Sequence, residues 1–249
     1  MHLARSVLGG FFFVAYALGS LLLGAVLFPP LALLRAGRAK RALVKASWRL
    51  FVWAGRATGL FRVEISREDR ARLAAARGCV VVANHPTLID GVVLASLLPD
   101  ATAVAKAAAG RNFFYSLIVK GAFPMNDDPA RLVDEAVELL ASGVSLMVFP
   151  EGTRTPVDAK ERQWRRGAAQ IAIRARVPLM PVSVVCEPPV LAKGQPWHDL
   201  AGRTVVWRIR AHEMIDPDAF PRAPARTASI ALMDILRRTI FGDVHSPRC

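Results

Sequence analysis

Cys79-Val80-Val81-Val82-Ala83-Asn84-His85-Pro86-Thr87-Leu88-Ile89-Asp90 carries a strand, a turn and the start of a helix in one stretch. Cys79 to Ala83 is a short apolar run rich in valine, the pattern of a buried strand. Pro86 suits the first turn of a helix, and Gly91 to Leu98 continues as one. A strand that passes through a turn into a helix is the repeating junction of α/β folds, and its loop is where they place ligand-binding groups. His85 and Asp90 bracket that loop. At their spacing a regular helix would set the two side chains about 140° apart. They meet only if His85 precedes the helix and Asp90 lies inside it. Histidine accepts a proton near neutral pH, and an adjacent aspartate fixes its tautomer and stabilises the imidazolium. Taken alone, the pair also reads as a surface histidine beside a capping aspartate.

Working outward, apolar runs recur at Phe61-Ile65, Ala101-Ala105, Ser145-Phe149, Met180-Val185 and Thr204-Arg210. Helical patterns fall between most of them, at Arg67-Ala76, Arg131-Ser142 and Arg166-Ala175. Asp128-Pro129 reads as an N-cap and first-turn proline, and Gly143 as a helix stop. Ala225 to Phe241 is a last helix, with Ile230, Met233, Leu236 and Ile240 on one stripe. This alternation predicts an α/β fold: a single domain with a mixed, largely parallel sheet flanked by helices. The domain is expected over residues 50–241, after an anchor and basic segment at 1–49 and before a tail at 242–249.

A second polar segment follows the Ser145-Phe149 strand. Pro150 ends the strand, and Glu151-Gly152-Thr153-Arg154 forms the loop at its carboxyl end. Gly152 lets backbone approach a ligand closely. Arg154 can fork onto a phosphate or carboxylate, and Glu151 can accept from hydroxyls or from Arg154. An ordinary polar turn closed by a Glu-Arg pair is the plainer reading.

The chain lacks a G-x-S-x-G nucleophile elbow, an H-E-x-x-H motif, a cysteine/histidine metal cluster, and any glycine-rich dinucleotide or P-loop fingerprint. A base without a protein nucleophile implies that the substrate supplies its own, a hydroxyl deprotonated by His85. The three cysteines, Cys79, Cys186 and Cys249, are far apart and form no disulfide framework. Cys79 and Cys186 fall in apolar strands, as small core residues do. His198, His212 and His245 have no partner by spacing and read as surface residues.

Together the two segments resemble the glycerolipid acyltransferases, in particular the bacterial 1-acyl-glycerol-3-phosphate (lysophosphatidate) acyltransferases. The family's N-H-x-x-x-x-D motif matches Asn84, His85 and Asp90, and its F-P-E-G-T-R motif matches Phe149 through Arg154. Val177-Pro178-Leu179-Met180-Pro181-Val182 matches a fourth motif, V-P-x-x-P-V, and Trp164-Arg165-Arg166-Gly167-Ala168 stands at its aromatic-basic-glycine stretch. The resemblance implies that His85 deprotonates a glycerol-type hydroxyl, which attacks the thioester of acyl-CoA or acyl carrier protein, while Asp90 orients His85. It places Asn84, Glu151, Gly152, Thr153 and Arg154 at the acceptor, with Lys106 helping to hold its phosphate. It implies no metal and no bound cofactor, because the thioester is a substrate.

The resemblance breaks at the family's second motif. Gly121-Ala122-Phe123-Pro124-Met125-Asn126-Asp127-Asp128 lacks the expected arginine and carries acidic residues instead. An acidic lip disfavours a phosphate dianion. Either Lys106 and Arg154 suffice, or the acceptor is not lysophosphatidate. This variant, with Cys186-Glu187-Pro188 and Lys193-Gly194, resembles acyltransferases of specialised lipid pathways such as aryl polyene synthesis. An ornithine lipid acceptor, a catalytically silent lipid carrier and a hydrolase remain alternatives.

Val7 to Phe28 carries no charged side chain and as a helix spans about 33 Å, enough for a bilayer core. Pro29-Pro30 are expected to break it. Its length and the basic residues that follow (Arg35, Arg38, Lys40, Arg41, Lys45 and Arg49) favour a membrane anchor over a cleaved signal peptide. Either a single span or a hairpin fits, with the catalytic domain at the cytoplasmic face of a bacterial inner membrane. Lys and Arg number 33 against 20 Asp and Glu, a formal charge of +13. An anionic membrane surface suits that excess, at about 1 kcal/mol per well-placed basic residue. No nucleic-acid recognition motif accompanies it.

Overall fold

The computed structural model describes residues 2–34, 36–104, 128–155, 163–196, 202–219 and 224–244. Helix α1 (His2–Leu22) passes through a π-helical turn (Leu23–Leu27) into α2 (Phe28–Leu33), and α3 (Gly37–Ala57) follows. Then come β1 (Phe61–Ile65), α4 (Arg67–Ala75), β2 (Val80–Ala83), α5 (Asp90–Leu97) and β3 (Ala101–Ala103). The chain continues with α6 (Pro129–Ala141), β4 (Ser145–Val148), α7 (Gly167–Ala175), β5 (Leu179–Glu187), β6 (Val205–Ala211) and α8 (Ala225–Val244).

The strands form one sheet in the order β1-β6-β5-β2-β4-β3. β5 and β6 run antiparallel, and the neighbouring pairs β1/β6, β2/β5, β2/β4 and β3/β4 run parallel. The expected α/β class with a mixed, largely parallel sheet is what forms. Local signals place the helix ends. Ser66 Oγ accepts from Asp69 N–H (2.9 Å) at the start of α4, and Asp128 Oδ1 accepts from Arg131 N–H (3.3 Å) at the start of α6. Gly143, at φ 83°, ends the turn after α6.

The core lies on both faces of the sheet. Val81 and Ala83 of β2 join Met147, Val182 and the α3 and α5 side chains on one face. Val80 and Val82 join Leu146, Leu179 and residues of α6, α7 and α8 on the other. All four β2 residues are buried, which is why this run reads as continuously apolar rather than alternating. Each fully buried valine contributes roughly 1.5 kcal/mol or more.

Two expectations are corrected. Pro29-Pro30 do not break the helix; they lie inside α2. Proline lacks the N–H and its ring meets the carbonyl four residues back. The π-helical turn Leu23–Leu27 displaces those carbonyls, which lets the helix continue. Pro86 lies in the loop before α5, which begins only at Asp90. Residues 49 and 50 lie within α3, whose Val44, Phe51 and Val52 are buried.

Helix α1 folds back along α3. Arg5 Nη2 donates to the carbonyls of Gly59 (2.9 Å) and Leu60 (3.3 Å), at the far end of α3. Phe12, Phe13 and Tyr16 pack tilted against Phe51 at centroid distances of 4.7, 5.9 and 4.4 Å. The helices therefore form a hairpin. At its base, a Cβ at Gly55 would fall 2.0 Å from the Phe61 ring, so only glycine lets α3 lie on β1. The 27-residue stretch Arg5–Leu31 is long and apolar enough to cross a membrane. Its outer face is bare: Phe11, Leu18 and Leu22 are more than half exposed, as are Leu50 and Trp53 on α3.

Candidate active site

The two polar motifs leave the sheet from neighbouring parallel strands. β2 ends at Ala83 and delivers Asn84 and His85, while β4 ends at Val148 and delivers Phe149 through Arg154. In the β2/β4 register Val82 pairs with Val148, so both loops emerge side by side at the carboxyl edge of the sheet. The His85 ring stacks on Phe149, centroids 4.4 Å apart and planes at 26°. Thr155 N–H donates to the His85 carbonyl (2.9 Å), and His85 N–H donates to Glu151 Oε1 (3.4 Å). Glu151 itself is buried.

His85 Nδ1 lies 3.0 Å from Asp90 Oδ2. Asp90 opens α5, so the pair straddles the turn as their spacing requires. The Asp90 side chain is fully buried and that of His85 is 20% exposed. Thr87 N–H donates to Asp90 Oδ2 (2.6 Å), and Thr87 Oγ1–H donates to Oδ1 (2.5 Å). Trp207 Nε1–H, from β6, also donates to Oδ1 (3.0 Å). Each carboxylate oxygen thus accepts two bonds, and every partner is a donor. That arrangement satisfies the acceptor capacity of both oxygens. With Nδ1–H held by Asp90, the lone pair of His85 sits on Nε2, the nitrogen able to take a proton from a substrate.

Asn84, expected among the substrate contacts, is completely buried. Its Nδ2–H donates to the Val184 carbonyl (2.8 Å) and its Oδ1 accepts from Val184 N–H (2.7 Å). The amide extends the β2/β5 ladder by side chain and fixes where His85 leaves the sheet. Arg154 likewise has structural partners. Its Nη1 donates to the carbonyls of Leu191 (3.0 Å) and Ala192 (3.3 Å). Leu88 N–H donates to the same Leu191 carbonyl (3.1 Å), so both motif loops converge on one turn. Leu191 sits at φ 56°, a left-handed conformation costly for leucine, and these two bonds help hold it there.

Gly152 is at φ 59°, and Gly152 N–H donates to the Phe149 carbonyl (2.9 Å). The Arg165 side chain lies across it, with Nε 3.6 Å from where a Cβ would stand. Arg165 N–H also donates to the Pro150 carbonyl (2.9 Å). Gly152, Thr153 and Arg154 are half-buried. Lys106, Asn126, Asp127, His198, His245 and Cys249 lie outside the described residues. His212, read as a partnerless surface residue, bonds Ser183 Oγ through Nε2 (2.8 Å). Cys79 and Cys186 are buried, as their strands imply, and burial pushes the Cys186 thiol up to about 12. Among the described residues no cluster of His, Cys, Asp and Glu is placed to hold a metal ion.

The residues missed by the sequence reading are Thr87, Trp207 and Leu191. Thr87 lies inside the motif at a position of free identity. Trp207 and Leu191 reach the site only through the sheet and through a long-range turn. No local pattern announces either.

Comparison with known proteins identifies the family. A chloroplastic 1-acyl-sn-glycerol-3-phosphate acyltransferase of Brassica napus is 30% identical over 113 residues, 43% of this chain and 33% of that protein. The human 1-acyl-sn-glycerol-3-phosphate acyltransferase beta is 27% identical over 125 residues, 46% of this chain and 44% of that protein. The chain thus spans less than half the length of these relatives. The corresponding enzyme of Pseudomonas aeruginosa is 23% identical over 59% of this chain and 58% of its own length. In fold, the crystal structure of the 1-acyl-sn-glycerophosphate acyltransferase PlsC from Thermotoga maritima superposes with a TM-score of 0.68 at 20% identity, covering 100% of both chains. The Acyltransferase family model matches residues 49–185, more than half of the chain and both motif loops, and the protein belongs to that family.

Proposed function

We propose that this protein moves a fatty acyl chain from a thioester donor, acyl-CoA or acyl carrier protein, to the hydroxyl of a lysophospholipid of the 1-acyl-glycerol-3-phosphate type. The observation that carries the reading is the His85 Nδ1–Asp90 Oδ2 pair at 3.0 Å, with Nε2 left to the substrate. Nε2 takes the hydroxyl proton as the oxygen bonds to the thioester carbonyl carbon. The tetrahedral oxyanion collapses, the carbon–sulfur bond breaks, and the imidazolium returns its proton to the departing thiolate. Phe149 holds the ring from its face, so the imidazole enters the reaction already oriented.

The acceptor's anionic group is assigned to the loop Glu151-Gly152-Thr153-Arg154, with Arg165 beside Gly152 as a cation and Lys106 as a further one. The bare apolar face of the α1–α3 hairpin and the half-exposed Leu88, between His85 and Asp90, support delivery of lipid from a bilayer. The basic residues on α3 support a cytoplasmic, inner-membrane placement.

His85→Ala, purified with lipid and assayed with oleoyl-CoA and lysophosphatidate, is expected to lose roughly three or more orders of magnitude in kcat and to keep lysolipid binding. Wild-type turnover in that variant would falsify the base. Absence of thioester consumption by the wild-type protein with any lysolipid would favour a lipid carrier instead. The acidic residues Asp127 and Asp128 stand where the motif of the resembling family calls for an arginine. They favour a second reading, a specialised non-phosphate acceptor. Faster transfer to an ornithine lysolipid than to lysophosphatidate would select it.

A further inference from the structure

The Asp90 carboxylate is wholly buried and accepts four hydrogen bonds, two at each oxygen. Three of the donors belong to the His85–Asp90 loop. The fourth is the indole of Trp207, 117 residues further along the chain and on a different strand. We infer that Trp207 is a positioning residue for the reaction: its Nε1–H pins Asp90 Oδ1, so that Oδ2 stays aimed at His85 Nδ1. The inference rests on His85 acting as the base.

The indole is suited to the task because it is immobile. Trp207 is fully buried in β6, and its backbone is in register with Val63 of β1 on one side and Cys186 of β5 on the other. Its ring packs edge-on against Phe61, centroids 5.4 Å apart and planes at 75°. Phe61 is in turn held against Phe51 (5.9 Å) and Phe12 (6.2 Å) of the helical hairpin. Packing alone does not call for an indole here, since a phenylalanine buries a ring without a polar atom. An N–H in a dry core is costly unless it finds an acceptor. The acceptor found here is the carboxylate that orients the base, with Thr87 Oγ1 also in reach at 3.3 Å.

The alternative donor at Oδ1 does not replace it. Thr87 belongs to the same loop as Asp90 and moves with it, so its hydroxyl ties the carboxylate to the loop alone. Trp207 ties the carboxylate to the sheet. Without the indole N–H, the carboxylate group can turn about its own bond to the chain, and the His85 ring loses its fixed partner. The carboxylate charge is also less well solvated, and it then holds the imidazolium proton more tightly.

The test is Trp207→Phe in the full chain, assayed with oleoyl-CoA and lysophosphatidate. The expected result is a fall in kcat of about 30-fold, with both KM values within about twofold. The acid limb of the pH–kcat profile moves to higher pH. Phe61→Leu weakens the same aromatic packing without touching Asp90, and is expected to lower the unfolding temperature and leave the profile in place. If Trp207→Phe fails to fold, 3-benzothienylalanine at position 207, with sulfur in place of the ring N–H, tests the hydrogen bond at unchanged shape. Wild-type kcat and profile in the variant that folds would overturn the inference. So would a loss of kcat matched by Phe61→Leu with no movement of the profile. His85→Ala run in parallel separates the two levels. If that variant turns over normally, the base reading fails whatever Trp207 does. If it is inactive while the Trp207 variants are unaffected, the role of Trp207 alone is refuted.

Discussion

The His85 imidazole lies flat against the Phe149 ring, 4.4 Å between centroids. The contact joins two loops that leave neighbouring parallel strands, so the sheet register sets the position of the proposed base. It also gives each motif a reason to keep its neighbour. The Asn84-His85 segment carries the proposed base, and the Phe149 segment supplies the wall on which its ring rests. Replacing Phe149 by Ala leaves the Asp90 contact but frees the ring face. A kcat lower by about tenfold is expected, from one aromatic contact of roughly 1 kcal/mol and the loss of orientation. Unaltered kcat would show that Asp90 suffices to hold the ring.

Asp90 accepts from four donors, and an amide cannot do so. Asp90→Asn turns an –NH₂ toward Thr87, Trp207 or His85 and selects the wrong histidine tautomer. Activity is expected to fall by roughly 10³- to 10⁴-fold, as when the carboxylate of a comparable dyad is replaced. Stability should fall by about 2 kcal/mol for the buried donors left unpaired. Steady-state kinetics and thermal unfolding of the one variant read both effects, and a stable, active Asn variant would contradict the carboxylate's assigned role.

Asn84→Ala separates a fixing role from substrate contact. The amide bonds both backbone groups of Val184 in a site without solvent. Its removal is expected to cost roughly 2 kcal/mol and to lower the unfolding temperature by about 5 °C. KM for the lysolipid should change little at a temperature where the variant is folded. A raised KM at undiminished stability would return Asn84 to the acceptor site.

Arg154 and Arg165 occupy different places around the Gly152 loop. Arg154 Nη1 braces the Leu191 turn, whereas the Arg165 side chain lies across Gly152. Arg165→Gln is expected to raise KM for lysophosphatidate by about tenfold, the value of one charge-assisted bond. KM for an uncharged monoacylglycerol should stay the same. Equal effects on the two acceptors would place Arg165 outside the phosphate site.

Burial raises the Cys186 thiol from its ordinary 9.0 to about 12, with Asp90 and Glu187 as smaller contributions. The folded protein therefore keeps a proton that the unfolded chain gives up above pH 9. Stability from this group is complete below pH 9 and is lost as the pH rises toward 12, by at most about 1.4 kcal/mol per pH unit. Thermal unfolding between pH 8 and 11 should show the slope, and Cys186→Ala should flatten it. An identical slope in the variant would assign the alkaline loss to other groups.

The elements were legible because each is encoded within a few residues. β1 was read to the residue, and β2, α4, α5 and β4 within one at each end, from short apolar runs between turn formers. The Asp128 cap and the Gly143 stop followed from one side chain and one backbone conformation. Pro29-Pro30 misled because the π-helical turn that accommodates them has no local sequence mark.

The sequence by itself determined the α/β class, the strand-turn-helix junction and the pairing of His85 with Asp90, because spacing within one turn is a local property. Only the tertiary structure decided what surrounds that pair. Phe149 reaches His85 through strand register, Trp207 reaches Asp90 across an antiparallel neighbour, and Asn84 and Arg154 bond backbone groups far away in the chain. Those partners are chosen by which strands become neighbours in the sheet, and that choice is made by burying the whole apolar core at once rather than by any segment of it.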